Sequence, residues 1–391
     1  MKYDFDTVID RHGTDCIKFD FAAKRGHSED ELSYWVADMD FKTAPEVINA
    51  VRERVENGIF GYTDPSKEYF ASVRNWIKDR FDYDTEFDWL FVTPGIVFAI
   101  GAAIQAYTEK GDAVLINNPV YYPFAGTVRA SGRKVVSSDL IWDGTGYRLD
   151  LKDFEEKIRQ EKPKLYLLCN PHNPGGKNWS REELYSIGEI CLKYGVTVLS
   201  DEIHADFTWD TKGHTVFASL SKEIEDITVT CTSPSKSFNL AGLQISNIFV
   251  SNKEMRKKFS RAVDTFGYSQ ANVLGLTACR AAYDLGKDWL DAVSNYIEEN
   301  LEKSVAFFHE KLPKVKVTKP EATYLLWVDF SGFGLSDAEL NRIVREEAKV
   351  WIDGGYIFGK SGEGFIRINV ACSWAYLEQG LLRLAEAFKN L

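Results

Sequence analysis

The chain has 391 residues, a formal net charge of −11, and 14% aromatic residues. This aromatic content excludes a largely disordered protein, because disordered chains lack the residues that bury apolar surface. The excess of acidic over basic residues disfavours a nucleic-acid partner, whose phosphates require clustered Lys and Arg.

Short apolar segments alternate with helical patterns from residue 45 to about residue 285. Strands are predicted at 89–93, 113–116, 134–137, 165–169, 196–200, 227–232 and 244–250, and helices at 45–57, 69–81, from 96 onward, at 124–131 and at 181–194. This alternation is typical of a mostly parallel sheet that is covered by helices on both faces.

The pattern changes after residue 285. A long helix is predicted at 287–312, strands at 315–318, 324–329 and 365–370, and further helices at 336–348 and 374–391. These elements indicate a smaller α+β domain. We therefore expect a large α/β/α domain of residues 45–285 and a small domain of residues 1–44 plus 286–391.

Residues 89–108 carry no charge over 20 residues, a length that could span a bilayer. Pro94 and Gly95 interrupt this segment, which favours a buried strand, a turn and a helix over a membrane span. The first residues lack the apolar core of a signal peptide. The six cysteines lack metal-site spacing and are expected to be reduced thiols. We expect a cytoplasmic protein without a metal site or a membrane partner.

Residues 354–361, Gly-Gly-Tyr-Ile-Phe-Gly-Lys-Ser, match the phosphate-binding pattern G-x-x-x-x-G-K-[ST]. That loop works only when a helix begins at its Lys-Ser pair, so that backbone amides face the phosphates. Here two further glycines and alternating β-forming residues follow over 362–370. We therefore predict a glycine-rich surface loop and no nucleotide site.

Lys236 lies in a loop of small polar residues directly after a predicted strand. A lysine is usually a solvated surface charge, but this one stands in an otherwise apolar run that suits a partly buried amine. Burial lowers the pKa of a lysine and makes it a usable nucleophile or base. Lys236 is therefore the first candidate for a catalytic residue.

Four segments around this lysine resemble, in the same order, those of the aspartate-aminotransferase-like enzymes that use pyridoxal 5'-phosphate (fold type I). They are Asn-Pro-His-Asn-Pro-Gly-Gly at 170–176, Ser-Asp-Glu-Ile-His at 200–204, Ser-Pro-Ser-Lys-Ser-Phe-Asn-Leu-Ala-Gly-Leu at 233–243, and Gly-Phe-Ile-Arg-Ile-Asn at 364–369. The resemblance covers nearly the whole chain. It implies a large, mostly parallel α/β/α domain, a smaller α+β domain and a pyridoxal-phosphate cofactor.

The resemblance also implies roles for single residues. Lys236 would bind the cofactor covalently and move the Cα proton, while Asp201 would pair with the ring nitrogen. Asn173 would bond the ring oxygen, and His204 would lie close to the ring without a metal role. Arg367 would bind the α-carboxylate of an amino-acid substrate. The expected substrate-binding residues are Arg367, Asn173, Ala37 and Tyr121.

The cofactor phosphate would bind amides at a helix N-terminus and nearby hydroxyl groups. The predicted phosphate-binding residues are Gly95, Ile96, Val97, Ser233 and Ser235. Tyr121 would stack on the ring, with Tyr122 as the competing choice. Tyr62, which completes the expected catalytic set with Lys236 and Asp201, and Ser269 would act on the neighbouring subunit's cofactor. The resemblance thus implies a homodimer with shared active sites.

Two departures indicate which enzyme of this fold the chain resembles. Gln244 stands where many aminotransferases carry an Arg that pairs with the phosphate. Residues 35–41, Trp-Val-Ala-Asp-Met-Asp-Phe, and residues 60–63, Phe-Gly-Tyr-Thr, resemble the cystathionine β-lyase (carbon–sulfur lyase) branch. This branch implies β-elimination of a thiol from cystathionine or a similar cysteine S-conjugate. An aminotransferase is the alternative, and a non-catalytic protein that keeps the fold is a third possibility.

Overall fold

The computed structural model of the chain describes residues 3–391. Its strands are β1 Leu32–Ser33, β2 Leu90–Thr93, β3 Ala113–Ile116, β4 Lys134–Ser137, β5 Ile141–Trp142, β6 Tyr147–Arg148, β7 Leu165–Cys169, β8 Thr197–Asp201, β9 Thr228–Thr232, β10 Ser246–Phe249, β11 Leu325–Asp329, β12 Val350–Trp351, β13 Asp353–Gly354 and β14 Phe365–Asn369.

The α-helices alternate with these strands through most of the chain. They are α1 Pro45–Glu56, α2 Lys67–Phe81, α3 Ile96–Tyr107, α4 Pro123–Ala130, α5 Leu151–Glu161, α6 Arg181–Tyr194, α7 Lys222–Asp226, α8 Pro234–Ser237, α9 Lys253–Thr265, α10 Val273–Leu285, α11 Lys287–Lys311, α12 Asp337–Arg342 and α13 Trp374–Phe388.

A seven-stranded sheet in the order β2-β10-β9-β8-β7-β3-β4 forms the centre of the molecule. All its neighbouring strands pair in parallel except at β10, which is antiparallel to both β9 and β2. The predicted mostly parallel sheet is therefore confirmed. Because β2 and β9 are both antiparallel to β10, they run in the same direction, and their carboxyl ends reach the same edge.

Side chains of the central strands alternate between two cores, as the pleat of a strand requires. On β3, Val114 and Ile116 face one cluster that includes residues of α3, α4 and α9. Leu115 faces the other cluster, with Phe154 of α5 and Ile187 of α6. The sheet is thus covered by helices on both faces, as the sequence pattern predicted.

The remaining strands form smaller sheets. β14 is paired in antiparallel fashion with β11 and β13, and β1 pairs in parallel with β12. This arrangement joins an N-terminal segment to the C-terminal part of the chain. Helix α10 ends at Leu285 and α11 begins at Lys287, beside the predicted domain boundary. The domain assignment itself stays a prediction.

Several predicted elements differ from the structure. Within residues 3–391, the segment 315–318 contributes only one isolated bridge, between Lys316 and Asp329. Helix α12 continues as a π-helical turn over Ile343–Glu347. The sequence did not predict α5, α7, α9, α10 or the two-residue strands. Strands of two residues are stabilised by the strands they pair with, so the local sequence shows little pattern for them. The predicted loop at Lys236 is wrong, because residues 234–237 form the short helix α8, which begins at a proline and is capped by the side chain of Ser233.

The glycine-rich segment that matched the nucleotide pattern is followed by strand β14, not by a helix. The predicted surface position holds only in part, because Tyr356 and Lys360 are exposed whereas Gly355 and Gly362 are buried. A Cβ added at Gly355 would lie 1.9 Å from the carbonyl oxygen of Gly362. The two glycines let the backbone fold closely on itself, so their role is packing.

The uncharged segment 89–108 forms the end of a short 3₁₀ turn, strand β2, a turn and helix α3. Among residues 3–391, the structure contains no helix that is long and apolar enough to cross a membrane.

Candidate active site

Six strands of the central sheet, all except β10, run in the same direction, so their carboxyl ends lie at the same edge. Open α/β sheets bind their ligands outside the carboxyl ends of such strands, because the loops that follow the strands converge there. A cavity of about 370 Å³ lies at this edge, which is a volume typical of small-molecule sites.

Eleven of the predicted site residues line this one cavity. They are Ala37, Gly95, Ile96, Val97, Tyr121, Asn173, Asp201, His204, Ser235, Lys236 and Arg367. They come from both the central sheet and the C-terminal part of the chain, so only the folded chain brings them together.

Lys236 lies on the short helix α8, directly after β9. Its Nζ donates a hydrogen bond to the carbonyl oxygen of Ala37 at 2.5 Å, and the hydroxyl of Tyr324 donates to the same oxygen at 2.9 Å. Burial lowers the pKa of Lys236 to about 8, although the nearby Asp38 carboxylate opposes this shift. The amine is therefore easier to deprotonate than an ordinary lysine, as a base requires.

Asp201 is the last residue of β8, and only 4% of it is exposed. Its Oδ1 accepts a hydrogen bond from the backbone amide of Ile203 at 3.2 Å. Burial raises the pKa of Asp201 to about 7. A carboxylate in such a place favours a cationic partner, because an unpaired buried charge is costly. The cavity wall can thus hold a protonated ring nitrogen of a ligand.

Arg367 projects from β14 into the same cavity. Its Nη1 donates to Oδ1 of Asn173 at 3.0 Å, and its Nη2 donates to the carbonyl oxygen of Trp35 at 2.8 Å. The guanidinium also lies over the ring of Phe358, with 4.9 Å between its Cζ and the ring centroid. This buried cation is suited to bind a carboxylate.

The segment 35–41 is held across the cavity by two asparagines, one on β14 and one in the turn after α8. Nδ2 of Asn369, on β14, donates to the carbonyl oxygens of Val36 and Asp38, both at 2.6 Å. Nδ2 of Asn239 donates to the carbonyl oxygen of Met39 at 2.9 Å. These bonds place Ala37 beside Lys236.

Helix α3 begins at the cavity, with Gly95 in the capping position. Because Gly95 has no side chain, the first amides of the helix stay available to an anion. Ser235 lines the cavity next to them. Ser233 lies behind Ser235, with 2.7 Å between the two Oγ atoms, and donates to the carbonyl oxygen of Ile245. Ser233 therefore supports Ser235 rather than lining the cavity.

The two predicted ring neighbours, His204 and Tyr121, both line the cavity. Burial lowers the pKa of His204 well below its usual range, so the imidazole is neutral. Its Nδ1 is buried and has no hydrogen-bond partner within residues 3–391. The amide of Tyr121 donates to the carbonyl oxygen of Asn173 at 3.0 Å. Tyr122 lines the cavity as well, so the choice of Tyr121 as the stacking residue stays a prediction.

Tyr62 and Ser269 lie outside this cavity in the same chain. Both line an open neighbouring cavity of about 720 Å³, together with Gln244. Tyr62 is 95% exposed. Pro94 lines both cavities, which places the second one beside the start of α3.

Three residues that bond to the site were given no site role by the sequence: Trp35, Tyr324 and Asp353. Asp353 pairs with Arg367, and Tyr324 bonds the carbonyl of Ala37. One feature of the sequence could have indicated Asp353. It stands in an otherwise apolar segment, and a buried charge needs a partner. The other two reveal their contacts only in the folded chain.

Comparison with known proteins agrees with this geometry. The family model described as aminotransferase class I and II matches residues 35–384. Cystathionine beta-lyase PatB of Bacillus subtilis (strain 168) is 43% identical over 383 residues, which cover 98% of this chain and 99% of PatB. Protein MalY of Escherichia coli (strain K12) is 32% identical, and the match covers 99% of each chain.

Solved structures extend the comparison. Cystalysin from Treponema denticola, whose crystal structure contains a pyridoxal 5'-phosphate cofactor, matches with a TM-score of 0.96 and 36% identity, and the match covers 100% of both chains. The fold is therefore aspartate-aminotransferase-like, as the motifs implied. The chain belongs to the class I and II aminotransferase family, on the branch that includes the cystathionine β-lyases.

Proposed function

We propose that this protein is a pyridoxal-phosphate-dependent carbon–sulfur β-lyase. It acts on L-cystathionine or a similar cysteine S-conjugate and yields a thiol, pyruvate and ammonia. The observation that carries the proposal is the meeting of Lys236, Asp201 and Arg367 in one cavity. PatB is named a cystathionine beta-lyase, and a similar solved structure from Staphylococcus hominis is named a C–S lyase. Both names support elimination rather than amino-group transfer.

The residues of the cavity fit the cofactor. Asp201 is a buried carboxylate at the cavity wall and would pair with the ring nitrogen. Lys236 would hold the cofactor covalently through Nζ. The amides at the start of α3, with Ser235, would bind its phosphate. When bound, pyridoxal phosphate supplies an electron sink that makes the substrate's Cα proton acidic.

The chain's own residues perform the remaining tasks. Arg367 and Asn173 bind the α-carboxylate and thereby fix Cα near Lys236. Nζ of Lys236 takes the Cα proton, which its lowered pKa allows near neutral pH. The Cβ–S bond then breaks, and its electron pair leaves with sulfur. The thiolate takes up a proton carried by Nζ, and water hydrolyses the released enamine to pyruvate and ammonia.

The test is a product assay on the holoenzyme with L-cystathionine, with and without 2-oxoglutarate. We expect pyruvate and free thiol in equal amounts, independent of the oxo acid. Formation of glutamate that depends on 2-oxoglutarate, without pyruvate, would identify an aminotransferase, which uses the same three residues. If neither product forms although the cofactor is bound, the chain is not an enzyme of either kind.

The proposal includes a homodimer whose active sites are shared. Tyr62 and the neighbouring Phe60 are large aromatic residues, yet both are exposed. They line the cavity that adjoins the start of α3 through Pro94. A second subunit that covers this surface would bring its own Tyr62 to the phosphate-binding amides. A cytoplasmic location also stays a prediction.

Mixing two inactive variants tests whether Tyr62 acts across the subunit boundary. We expect a Tyr62→Ala dimer to lose cofactor and activity, because a phosphate contact is removed. After reassortment with Lys236→Ala subunits, each heterodimer would contain one intact site. Activity should then return to about a quarter of the wild-type value, as random pairing in a twofold dimer predicts. A mixture of Lys236→Ala with Asp201→Asn is the control and should recover nothing, since both residues belong to one chain's site.

A further inference from the structure

The carboxylate of Asp353 already pairs with Arg367, the cation that would bind the substrate carboxylate. Nη2 of Arg367 donates to a carboxylate oxygen of Asp353 and to the carbonyl oxygen of Trp35. Nη1 donates to Asn173, and Nε is buried without a hydrogen-bond partner in the described part of the chain. A guanidinium has five N–H groups, of which each terminal nitrogen carries two. Both hydrogens of Nη2 are therefore already used.

The sheet itself enforces this pairing. Asp353 on β13 stands directly opposite Arg367 on β14 in the antiparallel register. The side chains are only 9% and 4% exposed, and both residues line the cavity. A buried ion pair of this kind persists because either charge alone would be costly to bury.

A substrate carboxylate meets a conflict at this point. Bidentate binding to a guanidinium needs two parallel N–H groups. Only one N–H of Nη1 remains, because Nη2 is saturated and Nε is buried. Two ionised carboxylates beside one guanidinium would also repel each other. The substrate can bind in bidentate fashion only if Asp353 gives up its place.

We propose that Asp353 competes with the substrate carboxylate for Arg367, so that substrate binding releases Asp353 from the guanidinium and protonates it. The inference rests on the proposed function, since it takes Arg367 as the receptor of the α-carboxylate. Asp353 thereby sets the affinity for carboxylate-bearing ligands, whereas an amine without a carboxylate escapes the competition.

The charges around Asp353 determine the direction of the pH dependence. Arg367 faces it from β14, and the Tyr122 hydroxyl faces it from the start of α4. Burial raises the pKa of Asp353, while Arg367 opposes this rise. When a second carboxylate shares Arg367, that opposition weakens and the pKa of Asp353 rises further. Affinity for the carboxylate ligand therefore falls as the pH rises between these two pKa values of Asp353.

The test compares two ligands on the holoenzyme, wild type and Asp353→Asn. L-Alanine carries a carboxylate but no β-leaving group, and ethylamine is its analogue without the carboxylate. Binding is followed by the cofactor's absorbance. We expect Asp353→Asn to bind L-alanine roughly tenfold more tightly, within the usual range of coupling between sites. Its affinity for ethylamine should be unchanged, and the fall of L-alanine affinity with pH should be lost.

A calorimetric measurement keeps the test independent of the variant's folding. Titration of the wild-type holoenzyme in two buffers of different ionisation enthalpy counts the protons taken up on binding. L-Alanine should bring more proton uptake than ethylamine. Equal uptake for both ligands, equal L-alanine affinity in the two proteins, or no L-alanine binding at all would each overturn the inference. Failure of the proposed function is separate, because it shows as a lack of pyruvate from L-cystathionine.

Discussion

Replacement of Lys236 by alanine is expected to lower the turnover of L-cystathionine by about 10²–10⁴-fold, the usual contribution of a positioned acid–base group. The reason is local: Nζ is the basic group of the cavity whose pKa burial lowers to about 8. The loss of covalent attachment adds to this effect. Steady-state pyruvate formation measures it directly.

Two further measurements make the Lys236 prediction specific. Borohydride reduction of the wild-type holoenzyme should attach the cofactor to the peptide that contains Lys236, as seen by mass spectrometry, and no such product should form in Lys236→Ala. Lys360→Ala is the matched control, because Lys360 is exposed in the glycine-rich segment outside the cavity. Activity that survives in Lys236→Ala, or that is lost in Lys360→Ala, would contradict the assignment.

Asp201→Asn is expected to have opposite effects on activity and on stability. A buried charge pair that loses one partner costs about 2–5 kcal/mol, so turnover should fall roughly 30- to 5,000-fold. The amide can still accept the hydrogen bond from Ile203 through its oxygen, so the local fold should persist. Pyruvate formation by the cofactor-saturated variant tests the first effect.

The stability effect follows from the raised pKa of Asp201, which burial brings to about 7. When the pKa of a carboxyl is higher in the folded than in the unfolded protein, the free energy of unfolding falls as the pH rises from about 4 to 7. The cofactor-free Asp201→Asn protein should therefore be more stable than wild type at pH 8, by roughly 2–4 kcal/mol. The gap should close as the pH approaches 4. Denaturant unfolding at several pH values measures this, and a gap independent of pH would contradict the electrostatic cause.

A variant that is less active but more stable than wild type would indicate that Asp201 serves function at the expense of stability. Its carboxylate costs stability in the empty site and is relieved by a cationic ligand. Lys236 follows the same logic, because an amine in this position is less stably protonated than one at the surface. Both residues were identified from local motifs, and the structure places both in one cavity.

The amino-acid sequence by itself determined the strands and turns of the central sheet. Apolar runs such as Leu165–Cys169, which end at polar turn residues, are locally encoded, since a strand buried on both faces needs a continuous apolar run. The motif residues Asn173, Asp201 and Lys236 follow such runs, so their place at the carboxyl ends of strands could be predicted. Arg367 could be predicted as well, because its strand has its own β-forming pattern.

The tertiary structure alone decided which groups surround those residues. The pairing of Asp353 with Arg367 depends on the register of β13 against β14, and β13 is too short to leave a sequence pattern. The bond from Lys236 to the carbonyl of Ala37 joins residues 199 positions apart in the chain. Contacts over such distances depend on how distant segments pack, and neither propensity nor periodicity records that. The proposed catalytic residues could therefore be predicted from the sequence. For Asp353 the sequence indicated at most a buried charge that needs a partner, and only the folded chain showed that this partner is Arg367.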